Sequence, residues 1–304
     1  MSWLKNYPRN YYQKYERVKV KNDCGWYEVY RLPGNVYAIA EPQHFQEVNL
    51  YLILGTEKAL LLDTGEGFCP IKPLIDELWH GEIIAFNSHF HFDHIGYNYL
   101  YEPLHVIDDP YVKAVSESGL AKESLGAQIE EEMFQFGYPK TMDYANFSIK
   151  PYEIEIVQDG DIFDLGNRSI RIYHTPGHSN DSLMLYDEVN KILFTGDTFY
   201  PGALYTHFDC KEFGHSDIDE YIKSMDRMIA EMPESVNLYC SHNEFIMPIT
   251  KLKETADALR VIKDFKASNT SRGNVAIGHT YLEDGNLIAE YPCDNFSIIY
   301  KLDK

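Results

Sequence analysis

The chain has 304 residues, 44% of which are hydrophobic, and a formal net charge of -20 at pH 7. This length and composition predict one large apolar core and exclude a disordered or fibrous chain. The acidic balance argues against a nucleic-acid partner, because a polyanion is normally bound on a basic face.

The first twenty residues, MSWLKNYPRNYYQKYERVKV, carry charged and polar residues throughout and contain no apolar stretch typical of a secretion signal. No other stretch has enough consecutive apolar residues to cross a bilayer. Five cysteines lie at unpaired spacings, and their odd number argues against a closed disulfide framework. We therefore expect a cytoplasmic protein with reduced thiols and no membrane partner.

A strand-rich region follows from Gly25. The stretch GWYEVYRLPGNVYAIAE breaks at a Pro33-Gly34 turn, and NLYLILGTEKALLLDTG breaks at Gly55, which predicts a meander of four short strands. A helix comes next, predicted by apolar residues at helical spacing: Ile71, Leu74, Ile75 and Leu78. The apolar stretch EIIAFNS then predicts a buried strand.

Residues 110–147, after Asp109, are helical in composition but are interrupted by Gly126 and Gly137. We predict a helical insert, for which two roles stay open. It forms a lid over an active site, or it supplies an apolar face to a homodimer, through Leu125, Ile129, Met133 and Phe136.

The second half repeats the meander, and its strand ILFTGDT, like ALLLDTG in the first half, is apolar and leads to an aspartate. An amphipathic helix capped by Ser216 and a strand ending at His242 follow. A helix from Lys251 to Phe265 and a hairpin about Asp284-Gly285 form a C-terminal extension, residues 251–304. We interpret residues 1–304 as one domain.

The stretch NSHFHFDHIG, residues 87–96, concentrates three histidines and an aspartate on the loop after a predicted strand. His89 and His91 alternate, so both imidazoles can point the same way, and Asp93-His94 can reach a second point nearby. His178, Asp197 and His242 each follow an apolar strand as well. Neutral imidazole and carboxylate groups are suitable ligands for zinc and similar ions, and so dense a polar group is costly to bury without one.

The His-x-His-x-Asp-His pattern, with a downstream His, Asp and His in order, resembles the metallo-β-lactamase-fold hydrolases, in particular their glyoxalase II-like and lactonase-like branches. The resemblance implies an α/β fold, a four-layer αβ/βα sandwich with a dinuclear metal site at one edge. It implies a first metal on His89, His91 and His178. It implies a second metal on Asp93, His94 and His242, with Asp197 bridging the two. Asp63 corresponds to an aspartate that orients the site from behind the ligands.

Three further residues are candidates for the substrate pocket: His44, Tyr200 and Tyr205. A packing role is the open alternative for each of them. Other histidines are interpreted as packed or surface residues, namely His80, His105, His174, His215 and His279. Cys210 follows Asp197 by too long a loop to act as a ligand, and we interpret it as an ordinary buried thiol.

We predict a hydrolase that uses two divalent ions, Zn²⁺ in the first place, with Fe or Mn as alternatives. The ions would lower the pKa of a shared water and supply hydroxide, and Asp93 would move the proton. The expected substrate is a small ester, thioester, lactone or phosphodiester.

The alternative is an iron-dependent oxidoreductase of the same fold, either persulfide dioxygenase-like or flavodiiron-like. The flavodiiron enzymes generally have glutamate where this chain has His91. Ligand residues alone do not fix the metal, so iron content and colour separate the two functions.

Overall fold

The computed structural model describes residues 9–21, 24–267, 278–283 and 285–302. Its first sheet has eight strands, in the order β1-β2-β3-β4-β5-β6-β7-β10, and the loop before its last strand holds a small two-stranded pair, β8 and β9. These strands are β1 (Glu16–Val18), β2 (Glu28–Leu32), β3 (Val36–Ala40), β4 (Asn49–Leu54), β5 (Lys58–Leu62), β6 (Glu82–Phe86), β7 (Leu104–Ile107), β8 (Leu120–Ala121), β9 (Ser148–Ile149) and β10 (Ile154–Val157).

A second sheet has six strands, in the order β11-β12-β13-β14-β18-β19. In chain order, the strands that follow β10 are β11 (Ile162–Asp164), β12 (Ser169–His174), β13 (Leu183–Asp187), β14 (Ile192–Phe194), β15 (Ala203–Tyr205), β16 (Asp209–Cys210), β17 (Gly214–His215), β18 (Asn237–Tyr239) and β19 (Ile246–Pro248). Of these, β16 and β17 pair with each other as a separate hairpin, and β15 belongs to a third sheet.

The described part of the chain contains five α-helices, which are α1 (Lys72–Leu78), α2 (Pro110–Ser118), α3 (Lys122–Leu125), α4 (Ile218–Glu231) and α5 (Thr250–Ala267). The predicted N-cap of helix α4, Ser216, is wrong by one residue, because the helix begins at Ile218. Asp217, rather than Ser216, caps it, because its carboxylate accepts hydrogen bonds from the backbone N–H groups of Asp219 and Glu220.

Among the described residues, three apolar cores lie between the four layers of the fold. The first joins the outer face of the first sheet to α1 and α2, the second joins the outer face of the second sheet to α4 and α5, and the third lies between the sheets. Along β4, Leu50, Leu52 and Leu54 enter the first core, while Tyr51 and Ile53 enter the core between the sheets. This period of two, with both faces apolar, is what a sheet covered on both sides requires. The predicted αβ/βα sandwich is confirmed.

Residues 110–147 contain α2, α3 and several single 3₁₀ turns rather than a long helix. Gly126 and Gly137 have φ values of 52° and 74°, so the backbone leaves the helical region at both positions. The predicted helix face therefore does not form. Ile129 is buried, whereas Phe136 is 73% exposed.

The C-terminal extension forms the third sheet, in the order β15-β22-β21-β20, in which β15 comes from the loop after β14. Its own strands are β20 (Thr280–Glu283), β21 (Asn286–Pro292) and β22 (Ser297–Lys301). Strands β20 and β21 form the hairpin predicted about Asp284-Gly285, although Asp284 itself lies outside the described residues. Within the described ranges, no helix is both long and apolar enough to cross a membrane.

Candidate metal centre

The candidate ligands lie on loops that follow the carboxyl ends of strands in both sheets. β5 and β6 are parallel neighbours in the first sheet, and β14 and β18 are parallel neighbours in the second. The carboxyl ends of parallel strands meet at one edge of a sheet, so the loops that follow them meet as well. The two sheets thus bring residues far apart in sequence to one shared edge.

All seven predicted ligands come together there in three overlapping groups whose ligand atoms lie within 4.8 Å of one another. The groups are His89 with His91 and His178, His89 with His94 and Asp197, and Asp93 with His94 and His242. Every one of these side chains is buried. None of the groups, which were found among the described residues, includes Cys210 or any of the five histidines interpreted as packed or surface residues.

Asp197 lies between the two halves of the cluster. Its Oδ2 is 3.6 Å from His178 Nε2 and 3.9 Å from His89 Nε2. Its Oδ1 is 3.4 Å from His94 Nε2 and 3.0 Å from His242 Nε2. His242 Nε2 is also 3.2 Å from Oδ2. The carboxylate therefore lies between the two halves and is close to both, which is the placement that a bridging ligand needs.

Each histidine of the cluster has its outward ring nitrogen next to a hydrogen-bonding group. The pairs are His89 Nδ1 with Ser88 Oγ at 3.1 Å, His91 Nε2 with the Phe213 carbonyl at 2.9 Å, His94 Nδ1 with Asp63 Oδ2 at 2.8 Å, His178 Nδ1 with the Tyr205 carbonyl at 3.0 Å and His242 Nδ1 with the Gln46 carbonyl at 2.7 Å. An imidazole whose outward N–H is held by an acceptor presents a free lone pair inward, as metal-bound histidines in proteins do.

The inward atoms fit a cation. His89 Nε2 and His94 Nε2 are buried and have no hydrogen-bond partner within the described part of the chain. A buried polar atom without a partner costs roughly 1–3 kcal/mol, and a metal ion removes that cost. The donor set of imidazoles and carboxylates is the one that Zn²⁺, Fe²⁺ and Mn²⁺ accept. The cluster is suited to divalent metal ions.

Burial keeps two imidazoles of the first group in the uncharged state that metal binding requires. It lowers the pKa of His91 to about 4 and that of His178 to about 3. Burial would raise the pKa of Asp197, but the neighbouring His242, His94 and His89 hold it well below its usual value. At neutral pH His91 and His178 are therefore uncharged and Asp197 is ionised. His94 and His242 differ, because neighbouring carboxylates outweigh burial and raise the pKa of both, so a cation that binds there has to displace their protons.

Asp63 lies behind the cluster, at the end of β5, in a left-handed backbone conformation with φ of 65°. Its Oδ1 accepts the backbone N–H of Ser88 at 2.7 Å, and its Oδ2 accepts the Ser88 hydroxyl and His94 Nδ1, both at 2.8 Å. The carboxylate thus fixes the tautomer and the ring orientation of His94.

A cavity of about 230 Å³ opens onto the cluster. Tyr200 and Tyr205 line it, together with Asp93 and Asp197. Gln128 and Met133 also line it, and both lie in the insert for which a lid was one of the two open roles. The sequence did not indicate four other lining residues, which come from separate parts of the chain: Phe45, Phe208, Phe213 and Tyr281. The one local signal for them is the stretch HFDCKEFG, which places Phe208 and Phe213 around the short β16–β17 hairpin.

His44 is not among the residues that line this cavity. It is fully buried, with its Nδ1 against the Glu66 carboxyl group and its Nε2 donating to the Gln128 carbonyl at 2.9 Å. Burial lowers the pKa of His44 to about 4 and raises that of Glu66 well above its usual value. Both groups are therefore uncharged at neutral pH.

Through these bonds His44 supports the cavity wall formed by the insert. The Phe45 N–H also donates to the Met133 carbonyl at 2.8 Å, and Gln128 and Met133 both line the cavity. We expect His44→Ala to raise KM by roughly tenfold while metal content stays near that of the unmodified protein, because the loss of one buried hydrogen bond, about 1.4 kcal/mol, loosens the wall and not the ligands.

His105→Ala is the matched control for this variant. His105 is a half-buried imidazole that is likewise bonded to a backbone carbonyl, that of Ala85, but it packs on Phe86 and Phe163 away from the cavity. Steady-state kinetics and elemental analysis of both variants check the prediction. Loss of metal from His44→Ala, or an equal rise in KM for both variants, would contradict it.

Asp181 holds two of the ligand loops through hydrogen bonds. It is buried, accepts the Ser179 hydroxyl at 2.7 Å and accepts the backbone N–H of Phe90, the residue between His89 and His91. Burial raises its pKa to about 7. In the folded protein Asp181 therefore keeps its proton up to about pH 7, whereas in the unfolded chain it releases the proton near pH 4.

This difference makes stability depend on pH. Between about pH 5 and 7.5 the unfolded chain binds fewer protons at Asp181 than the folded protein does, so the free energy of unfolding should fall as pH rises, by roughly 2 kcal/mol. Asp181→Asn cannot titrate and should lack this slope. Urea unfolding of both metal-free proteins across this pH range measures it, and parallel pH profiles for the two would show that Asp181 titrates normally.

Comparisons with known proteins agree with this geometry. Residues 45–234 match the family model of the metallo-beta-lactamase superfamily. Human acyl-coenzyme A thioesterase MBLAC2 is 26% identical over 224 residues, which cover 67% of this chain and 76% of that protein. Hydroxyacylglutathione hydrolase from Pelagibacter ubique is 28% identical over 195 residues, which cover 63% of this chain and 65% of that protein.

Among solved structures, the metallo-beta-lactamase from Pontibacter korlensis superposes with a TM-score of 0.54 at 18% identity, covering 77% of this chain and 99% of that one. At this identity the likeness supports the fold alone. The family match extends over more than half of the chain and includes six of the seven residues of the cluster. The chain belongs to the metallo-beta-lactamase superfamily.

Proposed function

We propose that the protein is a metal-dependent hydrolase that cleaves a small thioester at a pair of divalent ions, most readily Zn²⁺. The observation that carries the proposal is the cluster itself. Seven buried imidazole and carboxylate side chains present their inward atoms to one another, beside a cavity that opens onto Asp93 and Asp197. A structural protein has no need of so complete a set of ligands.

His89, His91 and His178 would hold one ion, and Asp93, His94 and His242 the other, with Asp197 between them. When bound, such ions polarise a carbonyl oxygen and lower the pKa of water from about 15.7 toward 7. The protein contributes the placement, because Asp63 and four other hydrogen-bonding groups hold the imidazoles in position before substrate arrives.

Asp93 is the residue that moves the proton. It borders the cavity, and its Oδ2 lies 3.6 Å from His94 Nε2 and 3.8 Å from His242 Nε2. A carboxylate in this place can accept a proton from the attacking water and return it to the leaving group. Tyr200 and Tyr205 border the same cavity and contact the substrate.

The relatives favour a thioester over the ester, lactone and phosphodiester that the same site could hydrolyse. One relative is named as acting on acyl-coenzyme A and the other on hydroxyacylglutathione, and both compounds are thioesters. The cytoplasm is the compartment that we propose, since none of the five cysteines forms a disulfide bond within the described part of the chain.

A substrate panel on metal-analysed protein tests the proposal. Thioesters, esters, lactones and phosphodiesters are offered to protein reconstituted with Zn²⁺, Mn²⁺ or Fe²⁺, and the mass in solution is measured in parallel to test for a homodimer. We expect about two ions per chain and the highest kcat/KM for a thioester. Full activity in metal-free protein would overturn the mechanism, and coloured iron protein that consumes oxygen with a persulfide would favour the oxidoreductase.

A further inference from the structure

We infer that the cavity receives the acyl group of the thioester and limits it to short apolar chains, with Phe208 and Phe213 as the residues that set the limit. This inference rests on the proposed function and names its substrate class. It follows from the walls of the cavity, its volume and its lack of cationic groups.

Two stacked phenylalanines form the wall next to the first half of the cluster. The rings of Phe208 and Phe213 lie 4.9 Å apart at an interplanar angle of 21°. Both pack edge-on against the His91 ring, with centroid distances of 5.2 Å and 5.3 Å. Phe208 also stacks on Tyr205 at 5.6 Å. A wall of mutually packed rings is rigid, so it bounds the space beside the reacting carbonyl instead of yielding to a longer chain.

Apart from Gln46 and Gln128, the wall that lies away from the metal cluster is mostly apolar as well, and its apolar residues come from three other places. Phe45 lies on the loop after β3, Met133 on the insert and Tyr281 on β20 of the C-terminal extension. Phe45 and Met133 are tied to each other by a backbone hydrogen bond of 2.8 Å. Segments outside the ligand loops thus bound part of the cavity. Their apolar side chains would contact the acyl chain of the substrate.

The volume of the cavity limits the length of the acyl chain that fits. The cavity measures about 230 Å³, which is below the range of about 300–1,000 Å³ that is usual for sites of drug-sized ligands. At the share of volume that a water takes in the liquid, about 30 Å³, it holds roughly eight heavy atoms. The carbonyl carbon and oxygen, the sulfur and the attacking water take about half of these, so roughly four further carbons of the acyl chain fit.

Charge decides which part of the thioester enters. Among the described residues that line the cavity there is no lysine or arginine. The thiol parts of coenzyme A and glutathione are larger and anionic, and burying their charges against the walls that lie away from the metal cluster would leave them without partners. The acyl chain is the part that is both small and apolar, so it lies inside while the thiol extends outward.

A series of thioesters of one neutral thiol, N-acetylcysteamine, tests the limit. Acetyl, butanoyl, hexanoyl, octanoyl and decanoyl thioesters are offered to the zinc-loaded protein, and thiol release is measured. We expect kcat/KM to peak between butanoyl and hexanoyl and to fall at least about tenfold by decanoyl, since a single methylene in a closed pocket can change the rate by about 10-fold or more. A flat profile, or a maximum at decanoyl, would overturn the inference.

Two variants assign the limit to the phenylalanine wall. Phe208→Ala removes the aromatic ring and should move the maximum to octanoyl or longer, and Phe208→Trp should move it toward acetyl. Phe163→Ala is the control, because Phe163 packs on Phe86 and His105 outside the cavity and should keep the maximum of the unmodified protein. Profiles unchanged in both folded Phe208 variants would contradict the assignment.

A binding measurement separates this inference from the proposed function. Thermal protection of the zinc-loaded protein by butanoate, hexanoate and decanoate requires no turnover. If no thioester is cleaved while the short carboxylates alone protect, the thioesterase function fails and the size limit holds. If thioesters are cleaved with no dependence on chain length, the function holds and the size limit fails. If no carboxylate protects and no thioester is cleaved, both are wrong.

Discussion

Asp197→Ala is expected to release bound metal and to lower kcat/KM more than any other single substitution in the protein. Asp197 is the one carboxylate whose two oxygens face both halves of the cluster, at 3.6 Å from His178 and 3.0 Å from His242. Its removal would take a ligand from both ions at once and would leave Asp93 as the one carboxylate of the seven-residue cluster. We expect a loss well beyond the roughly 100-fold limit that is typical when only a residue orienting a ligand is removed.

Cys210→Ala is the matched comparison. Cys210 follows Asp197 in the chain and is half-buried on the β16–β17 hairpin, outside the metal-binding groups found among the described residues. Its loss should affect packing alone, with metal content and kcat/KM within about twofold of the unmodified protein. Elemental analysis and kinetics of both variants decide the matter. Metal lost from Cys210→Ala and retained by Asp197→Ala would reverse our assignment of the ligands.

Asp63→Asn is expected to weaken metal binding by roughly 10- to 100-fold without changing any ligand. The substitution keeps the size of the side chain, and the amide oxygen can still accept the Ser88 N–H. The amide nitrogen, however, would place a donor where Oδ2 of Asp63 now accepts His94 Nδ1. His94 would then carry its proton on Nε2, the atom that faces Asp93 and Asp197, and would lose the lone pair that binds metal.

Competition with a chelator measures this effect, and Asp109→Asn controls for it. Asp109 is also a buried aspartate, but its carboxylate caps α2 by accepting the N–H groups of Tyr111 and Val112, a role that asparagine fills equally well. Metal affinity should therefore be unchanged in the control. An Asp63→Asn protein that binds metal as tightly as Asp109→Asn would show that the tautomer of His94 does not depend on Asp63.

The sequence by itself determined the layers of the fold and the membership of the cluster. In strands such as β4, successive apolar residues point in turn to two cores. This period of two follows from the local sequence. The polar residues that follow β5, β6, β12, β14 and β18 likewise mark strand ends, and strand ends in such a fold share an edge. The spacing of His89, His91, Asp93 and His94 therefore predicted that these side chains lie together, as they do.

Only the tertiary structure decided what surrounds the cluster. His44 lies on a loop whose direction the local sequence pattern does not predict. Contacts with Glu66 and Gln128, both distant in the chain, hold its side chain behind the cavity wall. Phe208, Phe213 and Tyr281 reach the cavity because a short hairpin and a distant extension fold over the sheet edge. Ligands are fixed by the ends of regular strands, whose geometry is periodic. The cavity is fixed by irregular loops, whose direction depends on long-range packing that no local period records.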